Sequence, residues 1–121
     1  NARADEALEG LRRAAPARDF CGSLRQVIGS LLPSGTASPA AAADAAGFSL
    51  RTLQRRLNEA GCSYSQLLEE ARHQAALRLL GDRSVKIVDV AFELGYSDPA
   101  NFTRAFRRWT GTSPRSARGG A

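Results

Sequence analysis

Two short stretches of this chain concentrate side chains able to form paired, directional hydrogen bonds. The first, from Leu50 to Glu59, holds Arg51, Thr52, Gln54, Arg55, Arg56 and Asn58. The second, from Pro99 to Thr110, holds Asn101, Thr103, Arg104, Arg107 and Arg108. Arginine, glutamine and asparagine match the donor and acceptor patterns of guanine and adenine edges in the major groove, two bonds at a time. Recognition of a base-paired polyanion is therefore the chemistry these residues can do. Bond-making chemistry has less to work with. His73 is the only histidine, and Cys21 and Cys62 are the only cysteines. That is no nucleophile–histidine–acid set, and too few ligands for a four-ligand zinc site. No metal and no cofactor are expected, and the chain reads as a non-enzyme. The cysteines are expected to be free thiols in a reducing compartment.

A recognition face needs a frame that presses it outward. Phe102, Phe106 and Trp109 recur at i, i+4 and i+7, the spacing of one buried helical stripe. Asn101, Arg104 and Arg108 fall on another face of the same helix, with Arg107 beside them. In the first stretch Leu50, Leu53 and Leu57 are the expected buried set. Arg51, Gln54, Arg55 and Asn58 form the outward one.

The charge distribution agrees with such a partner. Lysine and arginine number 17 against 12 acids, a net charge of +5. From Asn101 to Ala121 there are arginines and no acid at all, whereas acids gather at Asp5, Glu6 and Glu9 and at Glu69 and Glu70. A one-sided basic surface is the footprint of a nucleic-acid binder. The alternative reading of the same residues is a helical protein-interaction module with a solvated arginine face. No apolar run is long enough to span a membrane, and no membrane partner is expected.

Nothing alternates with period two, so no strand is expected. Helical patterns separated by turn signals predict about seven helices. Residues 4–14 form a weak polar helix or arm. Phe20, Leu24, Val27, Ile28, Leu31 and Leu32 predict a helix over about 19–32, ended at Pro33-Ser34-Gly35. Ser38-Pro39 starts a short alanine-rich helix, and Ser49 opens the next over 50–59. Ser63 and Gln66 fit a capping box ahead of a helix over 64–80. Ser84 is expected to cap 85–94. Asp98-Pro99 starts a helix reaching about Thr110, and Ser113-Pro114 opens a short last piece.

The chain also repeats itself. Ala43-Asp44-Ala45-Ala46-Gly47-Phe48-Ser49 is followed by Leu53, Arg55 and Leu57. Ala91-Phe92-Glu93-Leu94-Gly95-Tyr96-Ser97 is followed by Phe102, Arg104 and Phe106. This is a helix-turn-helix pattern in physical terms. A small alanine lets two helices cross closely, a glycine takes positive φ in the tight turn, and an aromatic plugs the angle between them. Two such units in register predict an all-α fold. Residues 1–18 are a linker or arm, 19–61 the first unit, 62–81 a bridging helix, and 82–118 the second unit. A bridging helix of about 17 residues is roughly 26 Å long. It can set two recognition helices about 34 Å apart, one turn of DNA.

These residues resemble the DNA-binding domain of the AraC/XylS family of bacterial transcription regulators, over roughly Phe20 to Ala117. VKIVDVAFELGYSDPANFTRAFRRWTGTSPRS carries most of the likeness, with GFSLRTLQRRLNEAG and ARHQAALRLL upstream. The resemblance implies two helix-turn-helix units whose recognition helices enter successive major grooves of double-stranded DNA. Carried over by position, base contacts fall to Arg51, Gln54 and Arg55, and to Ala100, Asn101, Thr103 and Arg104. Thr52, Asn58 and Arg108 complete the expected base-contacting set. Ser38, Ser49, Arg56, Ser97 and Arg107 are expected on phosphates. Because the second helix begins Pro99-Ala100, it is expected to read fewer bases. RNA polymerase is a further expected partner. The domain is expected to be monomeric, bacterial, cytoplasmic and nucleoid-associated, with an effector or dimerisation domain missing from this chain.

Overall fold

A computed structural model describes residues 17–119, and the expected arm over 1–18 lies almost wholly outside them. Among the described residues there are seven α-helices and no strand. They are α1 (Ala17–Leu31), α2 (Pro39–Ala46), α3 (Leu50–Ala60), α4 (Tyr64–Leu80), α5 (Ile87–Glu93), α6 (Pro99–Thr110) and α7 (Pro114–Gly119), with a 3-10 turn at Leu32–Ser34. No helix is long and apolar enough to cross a membrane.

Local signals start most of these helices. The Ser38, Ser49 and Ser63 hydroxyls accept from the amides of Ala41, Thr52 and Gln66, which satisfies one free donor at the head of each helix. Asp98 does the same for Ala100 with Pro99 in the first helical position. Ser84 does not cap α5, contrary to expectation. Its amide and hydroxyl are both taken by the Asp82 carboxylate, so a turn forms first and the helix begins at Ile87 after Lys86.

The two repeats fold alike. Ala43 and Ala91 are buried where α2 meets α3 and α5 meets α6. Gly47 and Gly95 sit at φ 78° and 88°, the left-handed region that glycine enters without cost from a side chain. The amide of Phe48 donates to Ala43 O at 2.9 Å, and that of Tyr96 to Ala91 O at 3.1 Å. Two helix-turn-helix units thus flank α4.

One core runs through both. Phe20, Leu24, Val27 and Ile28 of α1 join Leu53 and Leu57 of α3, Ala71, Ala75 and Ala76 of α4, and Phe102 and Phe106 of α6. The alanines on α4 let α1 lie close along it. Leu50 was expected in this core, yet it is 40% exposed. It is the first residue of α3, while Leu53 and Leu57 one and two turns on are covered.

Long-range ties fasten α4 at both ends. The Tyr64 hydroxyl donates to the carbonyls of Ala37 and Ser38 at the head of α2, and burial pushes its pKa up to about 12, against the opposing effect of Arg72. Arg25 of α1 pairs with Glu70 at 3.1 Å. At the other end, the Arg118 guanidinium donates to the carbonyls of Leu79, Leu80, Asp82 and Val85. It adds a second donor to Leu79 O and Asp82 O, which already accept from the amides of Asp82 and Val85, and meets Leu80 O at the helix end.

The expectation of free thiols is overturned. Cys21 on α1 is joined to Cys62, just ahead of α4, with Cα atoms 6.6 Å apart. The fold lays α1 across the start of α4 and brings together two cysteines separated by 41 positions. Sequence spacing gave no sign of that approach.

Candidate nucleic-acid interface

The outward faces of α3 and α6 are built from the expected residues. On α3, Arg51, Gln54, Arg55 and Asn58 are exposed and Thr52 is half-buried. The opposite stripe, Leu53 and Leu57, is covered by the core. On α6, Ala100, Asn101, Arg104, Arg107 and Arg108 are exposed and Thr103 is half-buried, behind them Phe102, Ala105 and Phe106. Ser38, Ser49 and Ser97 are exposed in the turns and caps ahead of α2, α3 and α6.

Several of these side chains have partners within the protein. Arg55 pairs with Glu59 of its own helix at 3.3 Å, with both groups more than 60% exposed. Such a pair costs little to exchange for another acceptor. Arg104 donates to the Asn101 side-chain oxygen, so these two present a joined donor surface. Thr103 turns its hydroxyl back to Pro99 O at 3.3 Å. The Ser49 hydroxyl is shared between the Thr52 amide and the Thr52 hydroxyl.

Arg56 and Arg108 are placed differently. Arg56 is half-buried, with its guanidinium 4.5 Å from the Phe20 ring and 5.3 Å from that of Phe48. There it works as a packing cation over the aromatic plug of the first turn. Arg108 turns toward α4, where its Nε and Nη2 reach Glu69 Oε1 at 3.1 and 2.5 Å. The same oxygen accepts from Trp109 Nε1 at 2.7 Å. The Arg108 hydrogen bond, then that of Trp109, holds the Glu69 carboxyl below its ordinary range. In return Glu69 raises the pKa of Arg108.

The second turn has a cation of its own. Arg72 of α4 lies 4.5 Å over the Tyr96 ring and donates through Nε to Leu94 O at 3.1 Å. Tyr96 in turn packs on Phe102, with centroids 6.0 Å apart. Burial raises the Tyr96 pKa, against the pull of Arg72. His73 stacks on Trp109 at 5.2 Å. Sequence reasoning missed Glu69, Arg72 and Trp109 Nε1 as a group. Glu69, Arg72 and His73 share a polar face of α4 at i, i+3 and i+4, which was visible, but nothing local named their partners in the second turn and on α6.

The comparisons with known proteins fall on this geometry. The family model described as "Helix-turn-helix domain" matches residues 42–120. The transcriptional regulator VqsM of Pseudomonas aeruginosa is 46% identical over 63 residues, covering 52% of this chain and 19% of that protein. The transcriptional regulator VirS of Mycobacterium tuberculosis is 40% identical over 88 residues, covering 73% and 26%. The chain therefore spans about a fifth to a quarter of the length of these relatives. Among solved structures, a DNA-binding transcriptional dual regulator of Escherichia coli K-12 superposes with a TM-score of 0.67 at 30% identity, covering 81% of this chain and 97% of that one. The C-terminal domain of AraT, a response regulator of Geobacillus stearothermophilus, gives 0.68 at 26% identity, with 84% of each chain covered. The turn repeated on either side of α4, the outward arginine faces and the match over most of the chain lead to one assignment: this chain belongs to the AraC-type helix-turn-helix family.

Proposed function

We propose that the domain binds double-stranded DNA with sequence preference and so regulates transcription, α3 and α6 each entering one of two successive major grooves. The observation that carries this is the repeated turn. Two recognition helices with buried backs and exposed Arg, Gln and Asn faces stand at the two sides of a 17-residue helix. In this reading Arg51, Thr52, Gln54, Arg55 and Asn58 read the first groove. Ala100, Asn101, Thr103 and Arg104 read the second, while Ser38, Ser49, Ser97 and Arg107 meet phosphates. Arg56 supports α3 from behind. The first unit spans 19–61, the bridge 62–81 and the second unit 82–118.

The same proposal makes the domain a monomeric reader of an asymmetric site of roughly 15–20 base pairs, in a bacterial cytoplasm and on the nucleoid. RNA polymerase contact and effector response belong to the proposed regulator as a whole. We assign no catalytic role, because the one histidine is stacked on Trp109 and both cysteine sulfurs are bonded to each other.

Selection from a random duplex pool tests this directly. The wild-type domain is expected to enrich two half-sites about one helical turn apart. Arg55→Ala should cost about 1–3 kcal/mol and relax one base position. Arg107→Ala should weaken all sequences evenly and lower the salt slope by about one unit. Equal losses on selected and random duplex would remove Arg55 from base reading. No enrichment by the wild type would sink the function and leave a protein-interaction module.

A further inference from the structure

The second recognition helix is fastened to α4 by contacts that do not have the character of general packing. A single carboxylate oxygen, Glu69 Oε1, accepts three N–H groups from α6, two of Arg108 and one of Trp109. One turn further along α4, His73 lies flat on the Trp109 ring at 25° and meets the edge of Phe106 at 6.5 Å. Between them, Arg72 takes hold of the turn before α6 through Leu94 O and the Tyr96 ring. The neighbouring acid, Glu70, points to the other unit and pairs with Arg25 of α1. Consecutive residues of a helix diverge by about 100°, so the two acids of α4 key it to opposite partners.

The ion pair itself adds little to folding. The Arg108 and Glu69 side chains are 63% and 45% exposed, and pairs this open are screened by water and salt. Its content is directional: three donors converging on one oxygen fix where the last turn of α6 sits. Charge argues the same way. If Arg108 left Glu69 to reach a base, a carboxylate held only by the Trp109 N–H would stand beside α6 without its counter-charge and repel phosphate.

Resting on the DNA-binding reading above, we propose that Glu69, Arg108 and Trp109 form a clamp that sets the angle and spacing of α6 relative to α3, and so decides which half-site separation the domain accepts. Arg108 is thereby a positioning residue and not a base reader.

The test is a spacing series. The selected site is compared with duplexes carrying one base pair more or one fewer between half-sites, a change of about 3.4 Å and about 34°. The wild type is expected to lose roughly tenfold or more on either duplex. Glu69→Ala and Arg108→Ala should cut that loss to about threefold, with base preference inside each half-site unchanged. Glu69→Gln keeps an acceptor for Trp109 and should retain most of the wild-type loss. A Glu69→Ala profile parallel to wild type overturns the clamp, and so does an Arg108→Ala variant that relaxes one base position. A measurement without DNA separates this from the function itself. Spin labels at Glu59→Cys and Arg107→Cys report the distance between α3 and α6, and Glu69→Ala should broaden its distribution while Glu69→Gln stays near the wild type. An unchanged Glu69→Ala distribution overturns the clamp even if the domain binds no DNA.

Discussion

The two helix-turn-helix units share a backbone and differ in who holds the aromatic plug. In the first unit the cation over Phe48 is Arg56, supplied by the recognition helix itself. In the second, the cation over Tyr96 is Arg72, supplied by the bridging helix. The ion pairs of the recognition helices divide likewise: Arg55 pairs within α3, whereas Arg108 pairs with α4. The first unit is tied to the bridge through α1 and α2, by Cys21–Cys62, Arg25–Glu70 and the Tyr64 hydroxyl on Ala37 O and Ser38 O. The second is tied to it through the recognition helix and the turn before it. A repeat at the level of turns therefore becomes an asymmetry in how the recognition helices are held, with side chains of α6 bonded directly to α4 and those of α3 bonded within α3.

That contrast can be broken most strongly at the disulfide. Reduction, or Cys62→Ser, is expected to cost up to about 4 kcal/mol in the loop-entropy account for a closure of this length. Chemical denaturation with and without reductant measures it, and hydrogen exchange should show the loss concentrated on α1 and the start of α4. A loss spread evenly over α6 would mean that the units are not separately held.

Next in size are the turns. Gly47→Ala and Gly95→Ala each force an L residue to positive φ, at about 1–2 kcal/mol. A Cβ at Gly47 would meet nothing within 4 Å, and one at Gly95 would lie 3.4 Å from Leu32 O, an ordinary contact. The two melting shifts should therefore agree closely. A much larger cost at Gly95 would reveal a tighter seam between the units than the distances imply.

The cations come third. Arg72→Ala removes a bond to Leu94 O and the cation over Tyr96, at about 1–2 kcal/mol. It should raise exchange in α5 and α6 and leave α3 protected. Arg56→Ala should do the reverse. The smallest effect is acid sensitivity. Because the folded pKa of Glu69 lies below its ordinary 4.5, its contribution is present above that value and fades as pH falls through the lowered one. The wild type should thus lose slightly more stability than Glu69→Gln between about pH 5 and pH 2, as read by thermal melts.

Which features the sequence revealed follows the same division between local and distant. The caps at Ser38, Ser49, Ser63 and Asp98, the glycine turns and the backs of α3 and α6 depend on residues a few positions apart, and all were legible. The partners of Glu69, Arg72 and Arg118, and the approach of Cys21 to Cys62, depend on how helices cross, and no spacing rule reaches that far. Two errors were local. Ser84 looked like a cap because the carboxylate two residues before it, which wins its hydrogen bonds, was not weighed. Leu50 looked buried because periodicity marks a face and says nothing of how much of it is covered.

The reach of Arg118 has a consequence for how the chain is made. The carbonyls that end α4 are met by a side chain translated 38 positions after Leu80. At roughly 5–20 residues per second, a ribosome needs about two to eight seconds to cover that distance. During this interval the tip of the rod that will space the two readers is held by its own backbone bonds, Gly81 N–H to Leu77 O and Asp82 N–H to Leu79 O. The side-chain brace on the ruler between the halves thus arrives only after the second unit has been made.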